Sequence, residues 1–237
     1  MKKRKLHLES SKIAYFIFVG IALVELVASI ASVAFATSSD VRDAGISNIF
    51  LSILAIILFS VPWLIESRYK VDIPNLLEIL VLSFVFASIV LGNIHKFLVN
   101  VEGYDKFLHT VSGITISIIA FEVVHLFNIS KTAETRMEPL LVGLFAFTFS
   151  MTLLVLWEFY EFSIDTIAYQ INAETARNMQ RYQWVNISAF FPQDYGLLDT
   201  MLDLIVGAIG ATIVSIIGWK ILVRKAKRKI KEDSHGN

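Results

Sequence analysis

Three short stretches of the chain carry acids and an imidazole at helical spacing inside otherwise apolar surroundings. In YDKFLHTVSG, Asp105 and His109 are four apart and Gly113 follows four further on. In WEFYEFSID, Glu158, Glu161 and Asp165 are three and four apart. In LLDTMLDLIVGAIGA, Asp199 and Asp203 are four apart, with Gly207 and Gly210 continuing near that face. Residues three or four apart share one side of an α-helix, so each stretch presents a polar stripe. A charge at the centre of a membrane helix costs about 2.5 to 3.5 kcal/mol on insertion scales. Stripes like these need partners, water or a purpose.

Carboxylates with one imidazole and no cysteine make a hard ligand set. It suits Mg²⁺, Mn²⁺ or Ca²⁺, with Zn²⁺ admitted through His109. The candidate metal ligands are Asp105, His109, Glu158, Glu161, Asp199 and Asp203. A divalent cation would relieve the repulsion among them and polarise a phosphoryl or carbonyl oxygen. Without metal, an acid and a base drawn from His109, Glu158, Glu161 and Asp203 could transfer protons. These four are the candidate catalytic groups, because they lie within their helices, where capping does not account for them. Asp105 and Asp199 sit at helix starts and also read as N-caps, Asp165 reads as a solvated residue past a helix end, and a histidine like His109 can be a plain core residue. Lys106, Gln180 and Arg181 are the candidates for binding an anionic substrate headgroup. Crowded acids repel, so Glu161→Gln and Asp203→Asn are expected to keep or raise stability while losing metal binding.

The elements that must position these residues are membrane helices. The chain has 237 residues, 55% apolar and 18% charged, with a mean hydropathy of +0.64. Its apolar residues come in blocks of roughly 20, the length that crosses about 30 Å of hydrocarbon. An ordinary soluble globule is excluded. The expectation is an all-α polytopic membrane protein, six transmembrane helices in a bundle and one integral domain, with spans over 13–36, 46–65, 73–94, 104–127, 139–167 and 197–223. A long loop, 168–196, and a basic tail, 224–237, complete the chain. The net charge of +0 gives no electrostatic case for a nucleic-acid partner. Absence of cysteine excludes disulfides and thiolate chemistry.

Sixteen Lys and Arg fall on the side of the two termini and five on the other, which by the positive-inside rule puts both termini in the cytoplasm and 168–196 outside. The start, MKKRK followed by an apolar run and Ala34-Phe35-Ala36, imitates a secretory signal. Its apolar stretch is longer than a signal core, so it reads as a retained span. Depth follows from helix rise: Glu158 is 19 residues beyond Pro139, Asp203 is 16 before Trp219, and His109 is 16 before His125. The corresponding heights are about 28, 24 and 24 Å above the inner end. The stripes therefore lie at one level in the outer leaflet, and converge if their helices are neighbours. Residues 172–184, with Phe190, Phe191 and Pro192, read as a lid lying in the interface. Gly207 and Gly210, with Ala208 and Ala211, read as a close-packing surface. Trp157 reads as an aromatic-belt residue, and RKAKRKIK as a stop-transfer anchor or an anionic-lipid site.

The motifs YDKFLH, WEFYEFSID, NMQR and GLLDTMLDLIVGAIGA resemble the YjdF-like family of bacterial inner-membrane proteins and, more distantly, VanZ-like proteins. The residues carrying the likeness are Asp105, Lys106, His109, Glu158, Glu161, Asp165, Gln180, Asp199, Thr200, Asp203, Gly207 and Gly210. Asp203 stands where the wider VanZ-like group has Asn. The resemblance implies a multi-spanning bacterial inner-membrane protein. Through the association of VanZ-like members with glycopeptide resistance, it also points to a lipid or lipid-linked envelope substrate. Three functions are expected to compete: a metal-assisted enzyme on such a substrate, a noncatalytic module that binds lipid or a partner protein, and an ion- or proton-coupled transporter.

Overall fold

The computed structural model describes residues 2–128, 137–171, 179–180 and 195–235. Arg181 and nearly all of the expected lid lie outside the described residues. The described chain is helical, without strands: α1 (Lys2–Ala34), α2 (Ser39–Tyr69), α3 (Asn75–Val85), a π-helix (Phe86–Ile94), α4 (Phe97–Asn100), α5 (Tyr104–Asn128), α6 (Pro139–Ile171) and α7 (Tyr195–His235). Among the described residues, six stretches are long and apolar enough to span a membrane: Ser10–Ala34, Ser39–Tyr69, Asn75–Ile94, Tyr104–Phe127, Pro139–Ile171 and Gly196–Arg228. The all-α polytopic fold class is met.

Burial runs opposite to that of a soluble protein. Phe16, Phe50, Trp63 and Phe162 are each at least 60% exposed, whereas Asp199, Asp203, Ser52, Ser117 and Ser150 are among the most fully buried side chains. Apolar residues facing outward and small or polar ones facing inward are what a lipid solvent selects.

The chain divides into two compact units, Met1–Tyr104 and Asp105–Asn237. In the first, Ser38 caps α2 by accepting the Val41 amide, and Lys70 ends that helix in the left-handed conformation, φ 53°. Ala22, Ala55, Phe59, Leu82, Ile89 and Val90 form its core. Phe18 stacks on Phe59 and Phe86 at centroid distances of 5.8 and 4.9 Å. Glu25, midway along α1, meets His95 Nε2 at 3.0 Å.

In the second unit α5, α6 and α7 pack by their small residues. A Cβ on Gly113 would collide with the Gly207 carbonyl oxygen, and one on Gly210 with the Thr110 carbonyl oxygen. These close approaches bring α5 and α7 nearly backbone to backbone. Gly207 also meets the Leu154 side chain of α6, and Ser150 Oγ donates to the Gly113 carbonyl at 3.1 Å. The three polar stripes thus sit on mutually adjacent helices.

Candidate functional site

Glycine spacing on α5 and α7 sets how near the acids come to one another. Lys106 precedes His109 by three residues and Thr110 by four, so its side chain rises on the α5 face that Gly113 presses against α7. Its ammonium donates to Asp203 Oδ2 at 2.8 Å, to Asp105 Oδ2 at 3.2 Å, and to Asp199 Oδ1 in a shorter contact. Asp199 lies a full turn inside α7, and one of its oxygens is taken up by this ammonium rather than by capping. Lys106, expected to meet substrate, is thereby engaged by three carboxylates.

His109 forms the hinge between two halves of the cluster. Its Nε2 lies 3.7 Å from Asp105 Oδ1 and 3.7 Å from Asp203 Oδ1, and its Nδ1 lies 3.8 Å from Glu158 Oε1. Glu158, Glu161 and His109 are all buried. Two sets of atoms each fall within 4.8 Å of one another: Asp105, His109 and Asp203, and separately His109, Glu158 and Glu161. The first set shares Asp105 and Asp203 with the Lys106 ammonium. The second has no cation in it.

Neither oxygen of Glu158 makes a hydrogen bond of good geometry, although the Thr200 hydroxyl is directed toward it, and Asp203 Oδ1 and Asp199 Oδ2 likewise make none. Buried carboxylate oxygens without donors are rare, because each forfeits its hydration with nothing in return. Glu161 differs: the Trp157 indole N–H donates to its Oε1 at 2.8 Å. The i, i+4 spacing of these two residues carried that signal, but the belt position of the indole masked it.

Around the cluster, Asp165 is a tether. α6 continues past it to Ile171, and its carboxylate accepts the amides of Met179 (2.6 Å) and Gln180 (3.0 Å). The expectation of a solvated residue beyond the helix end is therefore corrected. Gln180 Nε2 in turn donates to Thr200 Oγ1 at 2.6 Å, next to Asp199. Gln180 links α6 to α7 through these bonds.

Adjacent membrane helices enclosing a buried Asp/Glu/His/Lys centre define a polytopic membrane protein with an internal polar site. Residues 16–224 match the family described as predicted membrane protein (DUF2238), and the chain belongs to that family. No curated protein and no solved structure matches it.

Proposed function

We propose that the chain is a membrane enzyme that holds a divalent cation on His109, Glu158 and Glu161 and acts on a lipid or lipid-linked substrate. The observation that carries this is Glu158: a buried carboxylate without a hydrogen bond of good geometry, beside an imidazole and a second carboxylate whose ligand atoms lie within 4.8 Å. Five carboxylates gather here with one ammonium, that of Lys106, and the ammonium serves only the aspartates. A divalent ion on the glutamate side would supply positive charge where Lys106 makes no ion pair, Lys106 itself offsetting one charge among the three aspartates. Bound there, Mg²⁺, Mn²⁺ or Zn²⁺ would polarise a phosphoryl or carbonyl oxygen, with Asp203 placed to exchange protons.

The cluster sits toward one end of its helices: Asp105 is the second residue of α5, and Asp199 the fifth of α7. That depth suits a headgroup better than the midplane site usual in transporters. On this reading the protein is a YjdF-like inner-membrane protein of bacteria, with cytoplasmic termini and the site facing the outer leaflet. One observation favours a second reading, a noncatalytic module with a structural polar network: the threefold engagement of Lys106.

Thermal unfolding of the purified protein with Mn²⁺, Mg²⁺ or Zn²⁺ separates the two. The enzyme reading expects an ion-dependent rise in Tm that disappears in Glu158→Gln and in His109→Gln. Identical melting of the wild type with and without every ion favours the structural network.

A further inference from the structure

Far from the acidic cluster, α6 and α7 form a second feature. Leu140, Gly143, Leu144 and Phe147 of α6 face Thr212, Ser215, Ile216 and Trp219 of α7 across an open groove of about 260 Å³. At Gly143 the two helices approach closely along one edge of the groove, since a Cβ there would lie 3.2 Å from Trp219 Cβ. The groove is about 22 Å from Glu158 along α6, counting 15 residues of helix rise. Leu140, Leu144 and Ile216 are 54, 52 and 43% exposed, so the groove opens on the apolar, lipid-facing surface.

On α7 the positive charge begins where the groove ends. From Ile216, the i+4, i+8 and i+11 positions are Lys220, Arg224 and Lys227, one continuous stripe running out of the groove's edge. All three are exposed, and Lys225 and Arg228 flank them. Glu138, at the start of α6, is the one acid among the described residues on the facing helix end. Long basic side chains at a span end extend toward the headgroups, and Trp219 marks the level at which an indole sits between chain and headgroup.

We propose that this groove and stripe form a site for one anionic phospholipid, its acyl chain lying between Leu144, Phe147 and Ile216 and its headgroup held by Lys220, Arg224 and Lys227. Apolar walls alone would accept any lipid chain. The ordered basic stripe continuing from the same edge selects the negative headgroup. The site is independent of the acidic cluster and of the metal reading.

Native mass spectrometry tests this on the full chain in detergent, titrated in parallel with phosphatidylglycerol and phosphatidylcholine of identical acyl chains. The expected result is about a tenfold preference for phosphatidylglycerol. Lys220→Gln/Arg224→Gln/Lys227→Gln should bring the two lipids to parity. Ile216→Trp, an exposed position that fills the groove, should weaken both lipids without changing their ratio. Equal binding of the two lipids by the wild type overturns the proposal, as does a preference that survives the triple substitution. Undiminished lipid binding by Ile216→Trp also overturns it, and spectra dominated by a lipid-free dimer that Ile216→Trp dissociates would assign the groove to a second copy instead. Far-UV circular dichroism confirms that each variant keeps its helices.

Discussion

Lys106 Nζ donates to Asp203 Oδ2 at 2.8 Å, joining the first turn of α5 to the third turn of α7. The ammonium is a cation supplied by the chain itself, and Asp105 and Asp199 share it. Asp203 is fully buried and the Lys106 side chain 18% exposed, so water screens this pair little. Breaking a buried pair leaves an uncompensated charge, which is far more destabilising than the net worth of the pair.

Lys106→Met is therefore expected to lose about 3 to 5 kcal/mol, seen as a fall in Tm on the order of 10 °C. Adding Asp203→Asn should recover part of that loss, since a neutral amide no longer waits for the missing ammonium. A double-mutant cycle on these two positions measures the coupling directly. Strictly additive losses would mean that the 2.8 Å contact contributes nothing.

The helix contact that positions these groups makes a sharper demand. At Gly113 a Cβ would meet the backbone oxygen of Gly207, an atom that no side-chain rotation can move aside. Gly113→Ala is expected to destabilise by about 1 to 3 kcal/mol or more through forced helix separation. Gly20 on α1 has no atom within 4 Å of the same construction. Gly20→Ala should therefore be neutral or gain up to about 1 kcal/mol of helix propensity. Melting temperatures of the two variants side by side test the contrast.

The three polar stripes and their shared level were legible because a period of 3.6 and a rise of about 1.5 Å are properties of any helix. Gly207 and Gly210 announced close packing for the same reason, though their partner helix could only be assumed. What one sequence could not convey was who reaches whom. Lys106 stands beside Asp105 in the chain, yet two of its three bonds go to α7, 93 and 97 residues away. Its long side chain reads equally well as a substrate contact until α7 is seen against α5. The contacts of Trp157 and Asp165 were hidden similarly: the first, besides its belt position, bonds Glu161, and the second tethers Met179 and Gln180, contacts set by side-chain reach and by a helix longer than its apolar core.

Orientation is open to chemistry because the chain has no cysteine. With sixteen basic residues on the side of the termini against five, single cysteines at 136 and 177 should behave oppositely toward a membrane-impermeant thiol reagent in intact cells. Position 177 is expected to be labelled and 136 protected until the membrane is opened. The reverse pattern would put the acidic cluster on the cytoplasmic side and remove the outer-leaflet substrate from the proposed function.

The acids themselves supply the last test, and the geometry separates Asp203→Asn from substitutions on the glutamate side. From crowding alone, Glu161→Gln and Asp203→Asn are both expected to keep or gain stability. But Asp203 pairs with Lys106 at 2.8 Å, while neither Glu161 nor its neighbour Glu158 pairs with an ammonium, and Glu158 also lacks a hydrogen bond of good geometry. Converting Asp203 to the amide removes a charge that the ammonium uses, so Asp203→Asn is now expected to destabilise by about 1 to 3 kcal/mol in metal-free detergent. Glu158→Gln removes a buried charge that makes no ion pair with an ammonium, and should melt at or above the wild-type temperature, as a group kept for binding rather than stability does. With Mn²⁺ or Zn²⁺ present the order should widen for a different reason. The wild type gains ligand stabilisation that grows with ion concentration over Kd, and Glu158→Gln gains none. Unfolding curves of the three proteins with and without ion decide it. If Glu158→Gln melts well below the wild type without metal, Glu158 belongs to the scaffold, and the metal assignment on His109, Glu158 and Glu161 loses its main support.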